Sequence, residues 1–196
     1  CAKFASMTGH KNIISLDMGG TTAKTALVEN GEPSKTSEYE VGAGINLSSK
    51  LVKGGGYPIK LPFIDVSEIG AGGGSILNID DTGILKVGPE SAGADPGPIC
   101  YNLGGKKPTL TDSLVLLGFL NPKFLVGGSI KIDFSKTIKE FKKQIATPLG
   151  KSNEESAWGA LMIAVSNMTR AVKAVSTYQG RDPRDFSLFA FGGNGP

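Results

Sequence analysis

The chain has 196 residues, enough for one domain with a hydrophobic core, and its 39% hydrophobic and 20% charged content is that of an ordinary soluble globular protein. The net charge of +3 is small, and Lys136, Lys139, Lys142 and Lys143 fall opposite the apolar stripe of one helix as a solvated face, which argues against nucleic acid as a partner. No apolar run approaches the roughly 18 residues that cross a membrane, and the single histidine, His10, excludes a His-based triad or a multi-His metal site within the chain.

Cys1 and Cys100 are far apart and lack metal-type spacing, a usage that fits a reducing cytoplasm better than a disulfide scaffold. Glycine is the exception to the ordinary composition, with 28 residues. The chain has no initiator Met and stops inside "FAFGGNGP", so it is expected to be a segment of a larger protein.

In chain order, "NIISLD" (12–17) reads as a buried strand and "TAKTALVE" (22–29) as a second, ending at the hairpin signal Asn30-Gly31. "KTSEYEV" (35–41) is expected to complete an antiparallel meander. Residues 42–128 then hold 18 of the 28 glycines, in strings such as "KGGGYP" and "GAGGGS". Extended pieces at 57–66 and 83–89 lie within this stretch, which reads as an insertion of short strands and ordered loops over 42–130 of a single domain.

Phe134, Ile138, Phe141 and Ile145 share one helical face, and that helix is expected to end before Pro148. Ser152-Asn-Glu-Glu155 fits a capping box for a second helix. Its stripe would be Trp158, Leu161, Val165, Met168, Val172 and Val175, and Gly180 its C-cap. "FSLFAF" (186–191) reads as a last strand running into Gly192-Gly193.

"DMGGTT" (17–22) is the segment with chemistry in it. A P-loop needs G-x-x-x-x-G-K-[ST], which is absent, and "GAGGGS" (70–75) leads into a strand rather than the helix a dinucleotide fingerprint requires. What remains is an Asp closing one strand and a Gly-Gly turn leading into the next. Gly19 and Gly20 let backbone N–H groups approach an anion without a Cβ in the way, and Thr21 and Thr22 add hydroxyl donors. Asp17 is suited to hold Mg²⁺ or its water shell rather than the phosphate, whose charge it shares. Gly192 and Gly193, after another buried strand, suit backbone lying against a nucleoside. Either turn alone also reads as an ordinary glycine turn; the pair is more specific.

These strings, with "GYPIKLPFIDVSEIGAGGGSI" (56–76), "VGPESAGADPGPICY" (87–101), "PTLTD" (108–112), "FLVGG" (124–128) and "DPRDFSLFAFGGNGP" (182–196), resemble the A-type subunit of the hydantoinase/oxoprolinase family, which includes acetone and acetophenone carboxylase subunits. The resemblance implies an α/β chain forming a ribonuclease-H-like half of an actin-like ATPase fold. It also implies ATP and Mg²⁺ as cofactors, with Asp17 catalytic and metal-binding, "DMGGTT" as the second phosphate loop and "FGGNGP" as the adenosine loop. An earlier Asp-Gly-Gly-Thr turn of the family is missing here. The implied partners are that missing half, a B-type subunit or domain, and a small substrate, either a cyclic amide of the hydantoin or 5-oxoproline type or a ketone.

Lys24 stands where many relatives carry Asp, and either contacts phosphate or faces solvent. Asp95, Cys100 and Asp112 are further candidates without an assigned role. An ATP-driven activator or reactivase is the alternative on the same fold, although the two distant cysteines do not suit the iron–sulfur site of such activators; a sugar kinase does not account for 42–128.

Overall fold

A computed structural model describes residues 1–37, 39–41, 57–123, 128 and 130–195. The chain starts with α1 (Ala2–Thr8), β1 (Ile13–Met18), β2 (Ala23–Glu29), β3 (Glu32–Pro33), β4 (Lys35–Thr36) and β5 (Tyr39–Val41). The glycines at 42–56 lie outside the described residues, as do the first four residues of "FLVGG". There follow β6 (Tyr57–Ile59), β7 (Phe63–Ile64), β8 (Val66–Ile69), β9 (Ser75–Ile79), β10 (Leu85–Ser91), α2 (Leu110–Leu116) and α3 (Phe134–Phe141). A π-helical turn (Lys142–Ala146) leads to α4 (Thr147–Leu149), then α5 (Asn153–Val175) and β11 (Ser187–Phe191) complete the order. The residues group into two units, Cys1–Ile69 with Asn167–Pro196, and Gly70–Ser166.

The first unit is organised by one mixed sheet in the order β11-β1-β2-β3, with β8 also pairing β2. β1 and β2 are antiparallel, with Asp17 opposite Lys24 and Met18 opposite Ala23, while β1 and β11 run parallel, with Asp17 opposite Phe191. Side chains alternate between the two faces. On one face Ile14 and Leu27 pack with Val175, and the Thr25 hydroxyl donates to the Ala171 carbonyl at 3.1 Å, fixing the end of α5. On the other, Ile13 and Val28 pack with Ala5 of α1 and with Phe189, which stacks on Phe4 at 4.6 Å between centroids.

Asn30 and Gly31 turn the chain with φ of 52° and 84°, the left-handed pair a type I′ hairpin demands. The expected third strand is different. Residues 35–41 split between β4, which pairs β7, and β5, which pairs β6, and β8 takes the place beside β2. The stretch "SEYE" carries too little apolar alternation to hold one strand on a single sheet face.

The second unit contains the β9–β10 hairpin and α2 to α4 with most of α5. Gly72, Gly73 and Gly74 of "GAGGGS" are buried there while Gly70 is exposed, and the Gly73 carbonyl accepts both the N–H and the hydroxyl of Thr111. Of the expected face, Phe141 and Ile145 are fully buried whereas Phe134 and Ile138 are exposed, and the helical path continues through Pro148, because Pro is tolerated in the first turn of the new α-helical segment α4.

The capping box of α5 forms, with the Ser152 N–H donating to Glu155 Oε2 at 3.0 Å and the Glu155 N–H to Ser152 Oγ at 3.1 Å. Its buried stripe is Ala157, Ala160, Ala164, Ala171 and Val175, whereas Trp158 is 53% exposed. The alanines lie one position from the larger residues expected there. The helix stops at Val175, and Gly180, with φ 78°, caps a separate 3₁₀ turn.

Candidate functional site

Local chemistry builds two turns at one end of the sheet. The first leaves β1 after Met18 and re-enters β2 at Ala23, closed by the Gly19 N–H donating to the Thr22 carbonyl at 3.0 Å. Gly20 and Thr21 at its tip are exposed, and among the described residues their N–H groups donate to no protein acceptor. The second turn leaves β11 after Phe191, whose Cα pairs with that of Asp17.

The two turns meet. The Asn194 N–H donates to the Met18 carbonyl at 2.9 Å and its side-chain Nδ2 to the Gly19 carbonyl at 3.3 Å. A Cβ on Gly192 would fall 2.5 Å from both Asp17 Oδ1 and the Met18 carbonyl oxygen, and its φ is 89°; this glycine is required by the protein itself. Gly20 and Gly193 differ. Neither has a positive φ, and a Cβ on either would meet nothing within 4 Å. A Cβ on Gly19 would make only an ordinary contact, at 3.8 Å from the Thr22 carbonyl oxygen. The bare backbone at these three positions is not explained by packing within the chain.

Asp17, Gly19, Gly20, Thr21, Thr22, Gly192 and Gly193 are thus gathered at adjacent strand ends. Lys24 lies opposite Asp17 on the same sheet face, and Glu68 lies opposite Lys24, so the three form a charged row across β1, β2 and β8. Lys24 Nζ is 4.0 Å from Glu68 Oε1, with the lysine side chain half exposed. Sequence reasoning missed Glu68, since nothing local sets the register of β8 against β2. It also missed Asn194, although that residue sits inside the quoted "FGGNGP". His10 bonds the Ser187 hydroxyl at 3.0 Å, at the opposite end of β11 from these turns.

The remaining candidates belong to the second unit. Asp112 is fully buried and accepts from the N–H groups of Ile99, Cys100 and Thr109 and from the Thr109 hydroxyl. Burial outweighs these four donors and raises its carboxyl above the usual range. Cys100 is also fully buried, and burial with the Asp112 charge beside it pushes its thiol up, the opposite of a reactive thiolate. The pair frames the 92–112 loops. Asp95 is exposed on the rim of an open cleft of ≈670 Å³ that Lys106 and Lys107 also line. A second cleft of ≈470 Å³ runs along β9, and no residue of the two glycine turns lines either.

Among the described residues no three His, Cys, Asp or Glu side chains cluster as a metal site, and no helix is long and apolar enough to cross a membrane. A single carboxylate beside a phosphate turn still suits Mg²⁺, which usually takes one or two protein carboxylates together with substrate phosphates.

Comparison with known proteins agrees with the motifs. The caprolactamase subunit alpha of Pseudomonas jessenii is 41% identical over 185 residues, covering 94% of this chain and 25% of that protein. The acetophenone carboxylase gamma subunit of Aromatoleum aromaticum is 39% identical, covering all of this chain and 25% of its own length. Among solved structures, nucleotide-free acetone carboxylase superposes with a TM-score of 0.82 at 30% identity, covering 98% of this chain and 25% of the other. The ATP-dependent caprolactamase of P. jessenii superposes with a TM-score of 0.79 at 39% identity over 99% of this chain and 26% of the other. The chain therefore spans about a quarter of the length of these relatives. A family model described as hydantoinase/oxoprolinase matches residues 1–196, and the chain belongs to that family.

Proposed function

We propose that the turns at Gly19–Thr22 and Gly192–Gly193 hold the phosphate and adenosine ends of ATP, in a ribonuclease-H-like half of an actin-like ATPase. On this reading residues 42–130 are an insertion within that half. Strands on both sides of it in sequence, β1, β2 and β11, share one sheet, and β8 from inside it joins them. The observation that carries the proposal is bare backbone at Gly19, Gly20 and Gly193, where the chain itself would admit a side chain. It sits beside exposed N–H groups at the tip of the first turn.

Asp17 would hold Mg²⁺ or a water of its shell, acting as both the metal-binding and the catalytic carboxylate. The Gly20 and Thr21 N–H groups and the Thr21 and Thr22 hydroxyls would face the phosphates, and the backbone at Gly192 and Gly193 the nucleoside. Lys24 is a further phosphate contact, since its ion pair with Glu68 is long and exposed enough to be given up at little cost.

When bound, ATP supplies the phosphoryl group that makes an amide or enolate oxygen reactive. That chemistry needs positioning and charge neutralisation more than a protein nucleophile, in keeping with a site of glycines, threonines and one Asp. The substrate is accordingly a cyclic amide of the hydantoin or 5-oxoproline type, or a ketone. The rest of the same subunit and a B-type subunit or domain complete the enzyme, in keeping with relatives named as alpha and gamma subunits. Relatives named as enzymes favour this reading over an ATP-driven activator.

Asp17→Asn in the full-length protein is expected to lower ATP turnover by about 10- to 100-fold, the scale seen when a group that orients a metal's shell is lost. Turnover at the wild-type rate would refute the assignment.

A further inference from the structure

The phosphate turn contains a peptide group that two successive glycines leave free to rotate. The Gly19 carbonyl and the Gly20 N–H belong to one planar peptide unit and point in opposite directions. Without a Cβ on either side, little in the turn itself prevents that unit from flipping. A flip would replace the N–H at the tip with a carbonyl oxygen, which repels an anion.

The structure supplies a restraint from elsewhere in the chain. Asn194 is half-buried, and its Nδ2 donates to the Gly19 carbonyl at 3.3 Å across a separation of 175 residues. Its own N–H donates to the Met18 carbonyl at 2.9 Å, a bond that any residue except proline could make. The side-chain bond is different, because it needs a short side chain carrying a donor. The Gly19 N–H is meanwhile held by the Thr22 carbonyl at 3.0 Å. Both peptide units flanking Gly19 are thus fixed, one by its own turn and the other by Asn194.

We propose that Asn194 is a positioning residue for the phosphate turn: by holding the Gly19 carbonyl it keeps the Gly20 N–H turned toward the anion. The proposal rests on the nucleotide reading above. It also makes the C-terminal turn part of the phosphate site, so the second glycine turn serves both ends of the ligand.

The test is titration calorimetry on the full-length protein with three probes, ATP, tripolyphosphate and adenosine, comparing wild type with N194A and N194D. The Asp variant keeps the side-chain shape and removes the donor. Losing one neutral hydrogen bond corresponds to about a two- to tenfold change in an equilibrium constant. N194A is expected to weaken ATP and tripolyphosphate by that factor while adenosine stays within twofold, and N194D is expected to lose at least as much. Three results would overturn the proposal: unchanged affinities in N194A, losses as large for adenosine as for tripolyphosphate, or wild-type affinity restored in N194D. A wild-type protein that binds none of the three probes refutes the nucleotide reading itself, and the role of Asn194 falls with it.

Discussion

At Gly192 a single methyl group would collide with the Asp17 carboxylate and the Met18 carbonyl, and the backbone is in the left-handed region. Gly192→Ala is expected to destabilise the protein by about 1–3 kcal/mol, the usual cost of a side chain in such backbone, read by urea denaturation. Gly193→Ala meets open space. It should leave stability within about 0.5 kcal/mol, as surface changes usually do, while weakening ATP binding. Equal stability losses in the two variants would erase the distinction between a glycine the fold needs and one the ligand needs. Asp112 gives a third residue-scale prediction. In Asp112→Asn one carboxylate oxygen becomes an NH₂ that faces N–H donors, inside a site with no exposure. A loss of about 1–3 kcal/mol is expected from buried donors left without an acceptor, seen as a lowered denaturation midpoint.

At the scale of elements, the end of β2 is tied to the segment after α5 by Arg181, whose Nε and Nη2 donate to Glu29 Oε2 at 2.7 and 2.6 Å. That bond, more than the Coulomb attraction, lowers the Glu29 carboxyl below its ordinary range. A depressed carboxyl stabilises the fold above its unfolded pKa, about 4.3, and the contribution disappears as pH falls through the folded value. With both side chains about a third exposed, the pair is worth about 1 kcal/mol or less. The stability difference between wild type and Arg181→Ala should therefore be present at pH 7, shrink as pH falls below the unfolded value of about 4.3, and vanish once the folded carboxyl is protonated. A difference independent of pH would show that Arg181 acts through packing instead. Helix α5 shows how an element can be right in kind and wrong in facing. Its cap follows from four local residues, whereas its buried stripe depends on which neighbours approach and how closely.

For the whole molecule, the decisive fact is that the chain covers about a quarter of its relatives. On the proposed reading, the charged row Asp17–Lys24–Glu68 and the exposed tip at Gly20 and Thr21 would form one wall of the nucleotide site. A one-walled site leaves most of the ligand in water. The isolated 196-residue chain is therefore expected to bind ATP weakly and to hydrolyse it negligibly. Titration calorimetry combined with a phosphate-release assay measures both, and micromolar affinity with turnover would contradict the one-walled account.

What could be read from the residues alone was whatever is set by near neighbours. The first two strands, the Asn30-Gly31 hairpin and the Ser152 capping box are local patterns, with a physical rule acting over a few residues, and the family was legible as a resemblance carried by whole strings of residues. Tertiary structure decided the rest. It split 35–41 between two partners, placed β8 beside β2, moved the buried face of α5 onto its alanines and set Glu68 opposite Lys24. It also brought Asn194 onto the Gly19 carbonyl. Each of these depends on strand register or on close packing between segments far apart in sequence. Such choices are made by which distant surfaces fit, and no window of adjacent residues contains that information.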